Sequence, residues 1–239
     1  MAAHSKKNWQ YGIVLYIVTV CAQLVPVIVN AIENGQNWMT MLIPSLTFVS
    51  LLTLPAIYIG LTLGKQIVPG LAHPTNTLVS KQGVIFALLT AIPLGVGLLA
   101  LRWILAEHLP NTIPEYGFRG PLGGFLVSLG AAIGEEVWFR FGLMTLLLWI
   151  CSKLLRQCKP SISVTCFVIF VVAFIFSVAH LPQLNSHGAY SQFAVVATIL
   201  GNVAVACLYG WCFWRYGLIS AIIAHFSLDI VLHMLPAYF

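Results

Sequence analysis

The chain has 239 residues, of which 60% are hydrophobic and only 7% charged, with a mean hydropathy of +0.95. Soluble domains carry about 25% charged residues, so this composition excludes an ordinary water-soluble protein and leaves no room for a soluble domain of useful size. The net charge of +5 reads as a topology signal in a membrane protein and not as a nucleic-acid surface.

A membrane-spanning helix needs about 20 mostly apolar residues. Met1 to Gln10 carries Lys6 and Lys7 and leads into Tyr11–Ile32. That run is longer than the apolar region of a cleaved signal peptide, so it is kept as a mature span. Met39–Leu63, Val84–Leu105, Leu122–Ile150, Ile162–Leu181, Phe193–Trp214 and Leu218–Leu235 come after it. The expected fold is therefore all-α, a polytopic bundle of about seven spans around a polar cavity. It forms a single integral membrane domain over residues 1–239, with the motif-bearing core at about 120–235.

The fourth span is glycine-rich at its start (Gly120, Gly123, Gly124, Gly130, Gly134), which suggests an interfacial or broken beginning. Asn185 to Gly188 reads as a polar loop, so His187 within it is taken as solvated. Basic residues fall in alternate connections: Lys6 and Lys7, then Lys65 and Lys81, then Lys153, Arg156 and Lys159, then Arg215. The positive-inside rule then puts the N-terminus in the cytoplasm and the C-terminal end outside. The third connection, which mixes Arg102 and Arg119 with Glu107 and Glu115, fits this alternation least well. The six cysteines show neither CxxC spacing nor histidine pairing and read as small hydrophobes.

Of the 11 basic and 6 acidic residues, only Glu135, Glu136, Arg140 and Asp229 lie inside spans and away from their ends. A charge near a bilayer centre costs roughly 2.5–3.5 kcal/mol on insertion scales, and such groups are functional candidates by default. Glu136 and Arg140 stand four apart on one helical face, acid before base, as an ion pair would. Glu135 lies about 100° away round the helix and requires another partner. His180 ends an apolar run just before Pro182, while His225 and Asp229 stand four apart in the last span. His233 shares that face but lies near the span end, and it is left out.

A carboxylate beside a neutral imidazole can hold a water and take its proton during attack on a carbonyl. A second polar pair can stabilise the oxyanion. The same side chains could instead hold a divalent metal, although no HExxH pair is present.

Glu135-Glu136-x-x-x-Arg140, Phe176-x-x-x-His180 and His225-x-x-x-Asp229, in that order, resemble the three motifs of the CPBP family of intramembrane proteases. That family includes type II CAAX prenyl endopeptidases and bacteriocin-processing or self-immunity (Abi) proteins. The resemblance implies hydrolysis of a peptide bond within the membrane. It gives Glu135 as the activator of water, His180 as its assisting base and Glu136 with Arg140 as supports. His225 and Asp229 match the oxyanion pair. It also implies a peptide or protein substrate, lipidated or not, within a lipid bilayer; no organic cofactor is called for, and a role for a divalent metal stays open. One departure stands out: CAAX endopeptidases carry Asn where this chain has Asp229, and an ionised Asp only accepts hydrogen bonds.

Two other readings stay open on the sequence. One is a non-catalytic immunity or scaffolding member of the same family. The other is a proton-coupled or cation transporter, since intramembrane carboxylates and histidines also form relays. If all spans are centred in the bilayer, His180 and His225 fall at opposite depths, a tension that tilted or broken helices would have to relieve.

Overall fold

The computed structural model describes residues 2–72, 80–111, 120–186 and 188–238. Among these every regular element is helical. Helices α1 (Ala2–Glu33), α2 (Trp38–Ile67), the short α3 (Pro69–Ala72) and α4 (Lys81–Ile104) come first. Then α5 (Gly120–Glu135), a π-helical stretch (Glu136–Met144) and α6 (Thr145–Leu154) join into one rod. They are followed by α7 (Ile162–Ala179), α8 (Leu181–Ser186), α9 (Gln192–Tyr216), α10 (Leu218–Asp229) and a second π stretch, Ile230–Met234. His187, Glu115 and Arg119 lie outside the described residues.

The helix starts are written in the sequence. Asn37, Ser80, Ser161 and Ser191 each precede a helix, and their side chains accept from the amides of Met39, Gly83, Val164 and Ala194. Such caps satisfy donors that no preceding turn can reach. Gly217, with φ of 95°, is the one residue between α9 and α10. A positive φ suits a residue without Cβ, and the chain reverses there at once.

Among the described residues six helices are long and apolar enough to cross a membrane: Trp9–Glu33, Trp38–Ile67, Lys81–Ile104, Gly120–Leu154, Ile162–Ser186 and Gln192–Tyr216. The seventh apolar helix, Leu218–Met234, is shorter. At 1.5 Å per residue it reaches about 25 Å, less than the roughly 30 Å of a hydrocarbon core. The fourth span does not begin as a broken piece: its glycine-rich start is continuous helix. Residues 185 and 186, expected in a loop, are the end of α8.

Within its most apolar stretch the rod Gly120–Leu154 is 44% buried, against 11% for α1, so the rod is the axis of the bundle. Its glycines allow this. A Cβ on Gly134 would run into the Gln23 amide of α1, and one on Gly142 would meet Ala56 of α2 at 2.7 Å. Small residues at such crossings let backbones approach closely. The Gln23 amide also donates to the Gly130 carbonyl at 2.6 Å, tying α1 to the rod.

The short last helix also relieves the depth conflict. α10 runs antiparallel to α5, with His233 backbone against Gly124, and parallel to α4, with Ser220 at Gly83 and Val231 at Gly95. Its start at Gly217 is tucked against Gly70 of α3. The helix is therefore set off-centre, which brings His225 level with Glu135.

The crossings yield a contrast in stability. Gly142→Val should lower stability by about 1–3 kcal/mol through overpacking. Gly97→Ala, where an added Cβ meets nothing within 4 Å, should be neutral or slightly stabilising. Thermal unfolding in detergent decides it, and equal shifts for both variants would contradict the packing described.

Candidate active site

All six residues singled out in the sequence come together where α5 and its π stretch, the end of α7, and α10 meet. Glu136 and Arg140 are 0% exposed, and Glu136 Oε1 lies 3.2 Å from Arg140 Nη1. The same oxygen accepts from His225 Nδ1 at 2.8 Å. One carboxylate oxygen thus holds a guanidinium from its own helix and an imidazole from α10. The guanidinium also donates through Nη2 to the Ala206 carbonyl of α9 at 3.1 Å and faces the Phe176 and Tyr209 rings, at 4.8 and 5.4 Å.

Glu135 turns the other way. Its Oε2 is 3.9 Å from His180 Nε2 and 3.9 Å from His225 Nε2, and it is buried without a hydrogen-bond partner among the described residues. His225 Nε2 also lies 3.4 Å from Asp229 Oδ2. The side chains of His180 and Glu135 are 27% and 21% exposed, whereas that of His225 is 4%. The open edge of the cluster is therefore the Glu135–His180 edge.

The partners fix the imidazole tautomers. His180 caps α7, and its Nδ1 is 2.8 Å from the Phe176 carbonyl, which can only accept. Nδ1 carries the hydrogen, leaving Nε2 of the neutral ring as a lone pair aimed at Glu135 Oε2. Two acceptors 3.9 Å apart do not bond each other, but a single group with two hydrogens can bridge them. For His225 the hydrogen on Nδ1 goes to Glu136, so Nε2 faces two more carboxyl groups, Asp229 and Glu135. Three acceptors cannot converge without a donor, so at least one proton resides among His225 Nε2, Asp229 and Glu135.

Both helices that carry these groups change form next to them. The first π stretch starts at Glu136, immediately after Glu135, and ends where the Thr145 amide bonds the Arg140 carbonyl five residues back. The second starts at Ile230, immediately after Asp229. π segments inside α-helices occur frequently at functional sites.

Among the described residues no group of three or more His, Cys, Asp or Glu side chains has the arrangement of a metal site. His233, set aside in the sequence, falls in the second π stretch with an exposed side chain. Two contributors have no signal in the sequence: Tyr209, stacked on His225, and the Ala206 carbonyl that takes Arg140.

A family model described as Type II CAAX prenyl endopeptidase Rce1-like matches residues 117–231. Residues 117–231, just under half of the chain, are similar to that family. The match takes in the rod, α7, α9 and α10 with all six residues of the cluster, while α1, α2 and α4 lie outside it. Comparison with curated proteins and with solved structures gave no match. With six long apolar helices among the described residues, the chain is an integral, multi-pass membrane protein, and the similarity to a protease family implies peptides or proteins as substrates.

The buried pair predicts a stability result. Arg140→Met leaves the buried Glu136 without its ion-pair partner and with only the His225 bond, and should cost about 3–5 kcal/mol, whereas the double variant with Glu136→Leu should recover a large part of it. Chemical or thermal unfolding of the four proteins of the cycle measures the coupling. Additive losses would mean that the two side chains do not depend on each other.

Proposed function

We propose that the protein is an intramembrane endopeptidase that cleaves membrane-associated peptides, of the prenylated CAAX type, with a water activated by Glu135 and His180. The observation that carries this reading is the position of Glu135 Oε2, buried and without a hydrogen-bond partner among the described residues, at 3.9 Å from each of two imidazole Nε2 atoms, at the edge where the Glu135 and His180 side chains are partly exposed.

A water at this edge donates one hydrogen to Glu135 and the other to His180 Nε2, so its oxygen lone pair is directed outward. As that oxygen attacks the scissile carbonyl carbon, Glu135 takes the proton. The carbonyl oxygen becomes the oxyanion. When the C–N bond breaks, Glu135 returns the proton to the leaving amine, the second water hydrogen stays on the new carboxyl group, and the products are a carboxylic acid and an amine. Glu136 and Arg140 take no part in the transfer; they hold the rod and His225 in register.

The departure at Asp229 has a physical account in this scheme. An Asn in that place brings its own N–H donor. With Asp, the proton shared between Asp229 and His225 Nε2, 3.4 Å apart, supplies the donor instead, from O–H or N–H. Such a donor to a developing oxyanion is worth about 10²–10³ in rate. The alternation of basic connections supports a cytoplasmic N-terminus for this enzyme.

The test is cleavage of a quenched farnesylated CAAX peptide by the reconstituted protein. Glu135→Ala and His180→Ala should each lower kcat by about 10²–10⁴ while the protein stays folded, and a chelator should leave the rate unchanged. Turnover that persists in both variants rules out the mechanism. A folded wild type that cleaves unprenylated but not prenylated peptides removes the substrate class and keeps the chemistry. Asp229→Asn should retain the rate within about tenfold, and Asp229→Ala should fall by about 10²–10³. Equal losses in the two variants would refute the shared-proton account.

A further inference from the structure

We infer that Tyr209 is a positioning residue, whose ring face holds the His225 imidazole so that Nδ1 stays on Glu136 and Nε2 stays toward Glu135 and Asp229. Tyr209 is 0% exposed and belongs to none of the three motifs. Its ring is stacked on the imidazole, with centroids 4.3 Å apart and planes 14° from parallel. Phe176 meets the same imidazole at 6.1 Å and 71°.

His225 needs such walls. The torsion that sets a histidine ring is broad and roughly two-fold, so the bond from Cβ does not select which nitrogen faces which neighbour. One hydrogen bond to Glu136 selects an atom and leaves the ring free to rock about it. A half-turn would bring carbons to Glu136 and to Glu135, breaking the 2.8 Å bond and withdrawing Nε2 from the reacting edge. The stacked ring lies in the volume that such a turn must sweep, and packed interiors yield little space.

The flat face is what acts, and not the phenol oxygen. The Tyr209 hydroxyl is buried with no hydrogen-bond partner among the described residues, so it anchors nothing. Phenylalanine should therefore replace tyrosine, whereas leucine or methionine of comparable bulk should not. The inference rests on the endopeptidase reading for its kinetic arm only.

The experiment uses the full-length protein in nanodiscs with ¹⁵N-labelled histidine, as wild type, Tyr209→Phe, Tyr209→Leu and Tyr209→Met. The chain has seven histidines, so His225→Gln serves to assign the signal. Wild type and Tyr209→Phe should show one hydrogen-bonded Nδ1–H signal for His225; the Leu and Met variants should show it broadened or averaged, with thermal unfolding still cooperative. On the peptide substrate, the Leu and Met variants should lose about tenfold or more in kcat with KM little changed, and Tyr209→Phe should restore the rate. An unchanged His225 signal in both aliphatic variants overturns the inference. So does a loss in Tyr209→Phe as large as theirs, which would place the function in the hydroxyl. If wild type shows the expected signal but turns over neither prenylated nor unprenylated peptides, the endopeptidase reading fails and the ring-nitrogen signals alone decide the role of Tyr209.

Discussion

The cluster depends on one oxygen atom. Glu136 Oε1 takes a guanidinium at 3.2 Å and an imidazole at 2.8 Å with no exposed surface on the carboxylate or the arginine. Burying a carboxylate or a guanidinium alone costs several kcal/mol, and only close partners with further hydrogen bonds offset it. The Ala206 carbonyl and the two aromatic faces provide part of that offset. Because the partners come from the rod, α9 and α10, satisfying this one group fixes three helices relative to each other. Glu135, one residue earlier, is then aimed at the open edge by the same constraint.

The two π stretches work on the same problem at a different scale. A regular α-helix places side chains every 100°, and neither Glu135 with Glu136 nor His225 with Asp229 departs from that. The change begins at Glu136 itself on the first helix and just after Asp229 on the second. Shifting the hydrogen bonds from four residues to five re-phases the side chains beyond: Phe141 and Gly142 against α2 on one helix, Val231 against α4 on the other. The acidic residues keep the register their chemistry needs while the adjoining packing faces adopt another.

Much of this is legible in the sequence, for definable reasons. Charge is so rare in this chain that Glu135, Glu136, Arg140 and Asp229 stand out from their spans, and helical spacing pairs Glu136 with Arg140 correctly. Cap residues and apolar runs locate the long helices. The hidden part depends on contacts between distant segments. The bond from His225 to Glu136 joins residues 89 apart. Tyr209 is one more aromatic in an apolar helix, and a backbone carbonyl such as that of Ala206 leaves no mark on composition. The π stretches have no simple residue signature. The depth of His225 is hidden too, because apolar length alone makes α10 look like a full, centred span.

The brevity of α10 also bears on when the site comes into being. His225 and Asp229 ride on an apolar helix shorter than the other six, carried late in the chain and entered through a one-residue reversal at Gly217. A segment of that length has little hold on a bilayer by itself and gains its place by docking against α4, α5 and α9. During synthesis the first five long helices can be in the membrane while Glu135, Glu136 and Arg140 still lack their imidazole partner. The cluster is therefore complete only when this short helix is docked in the bundle.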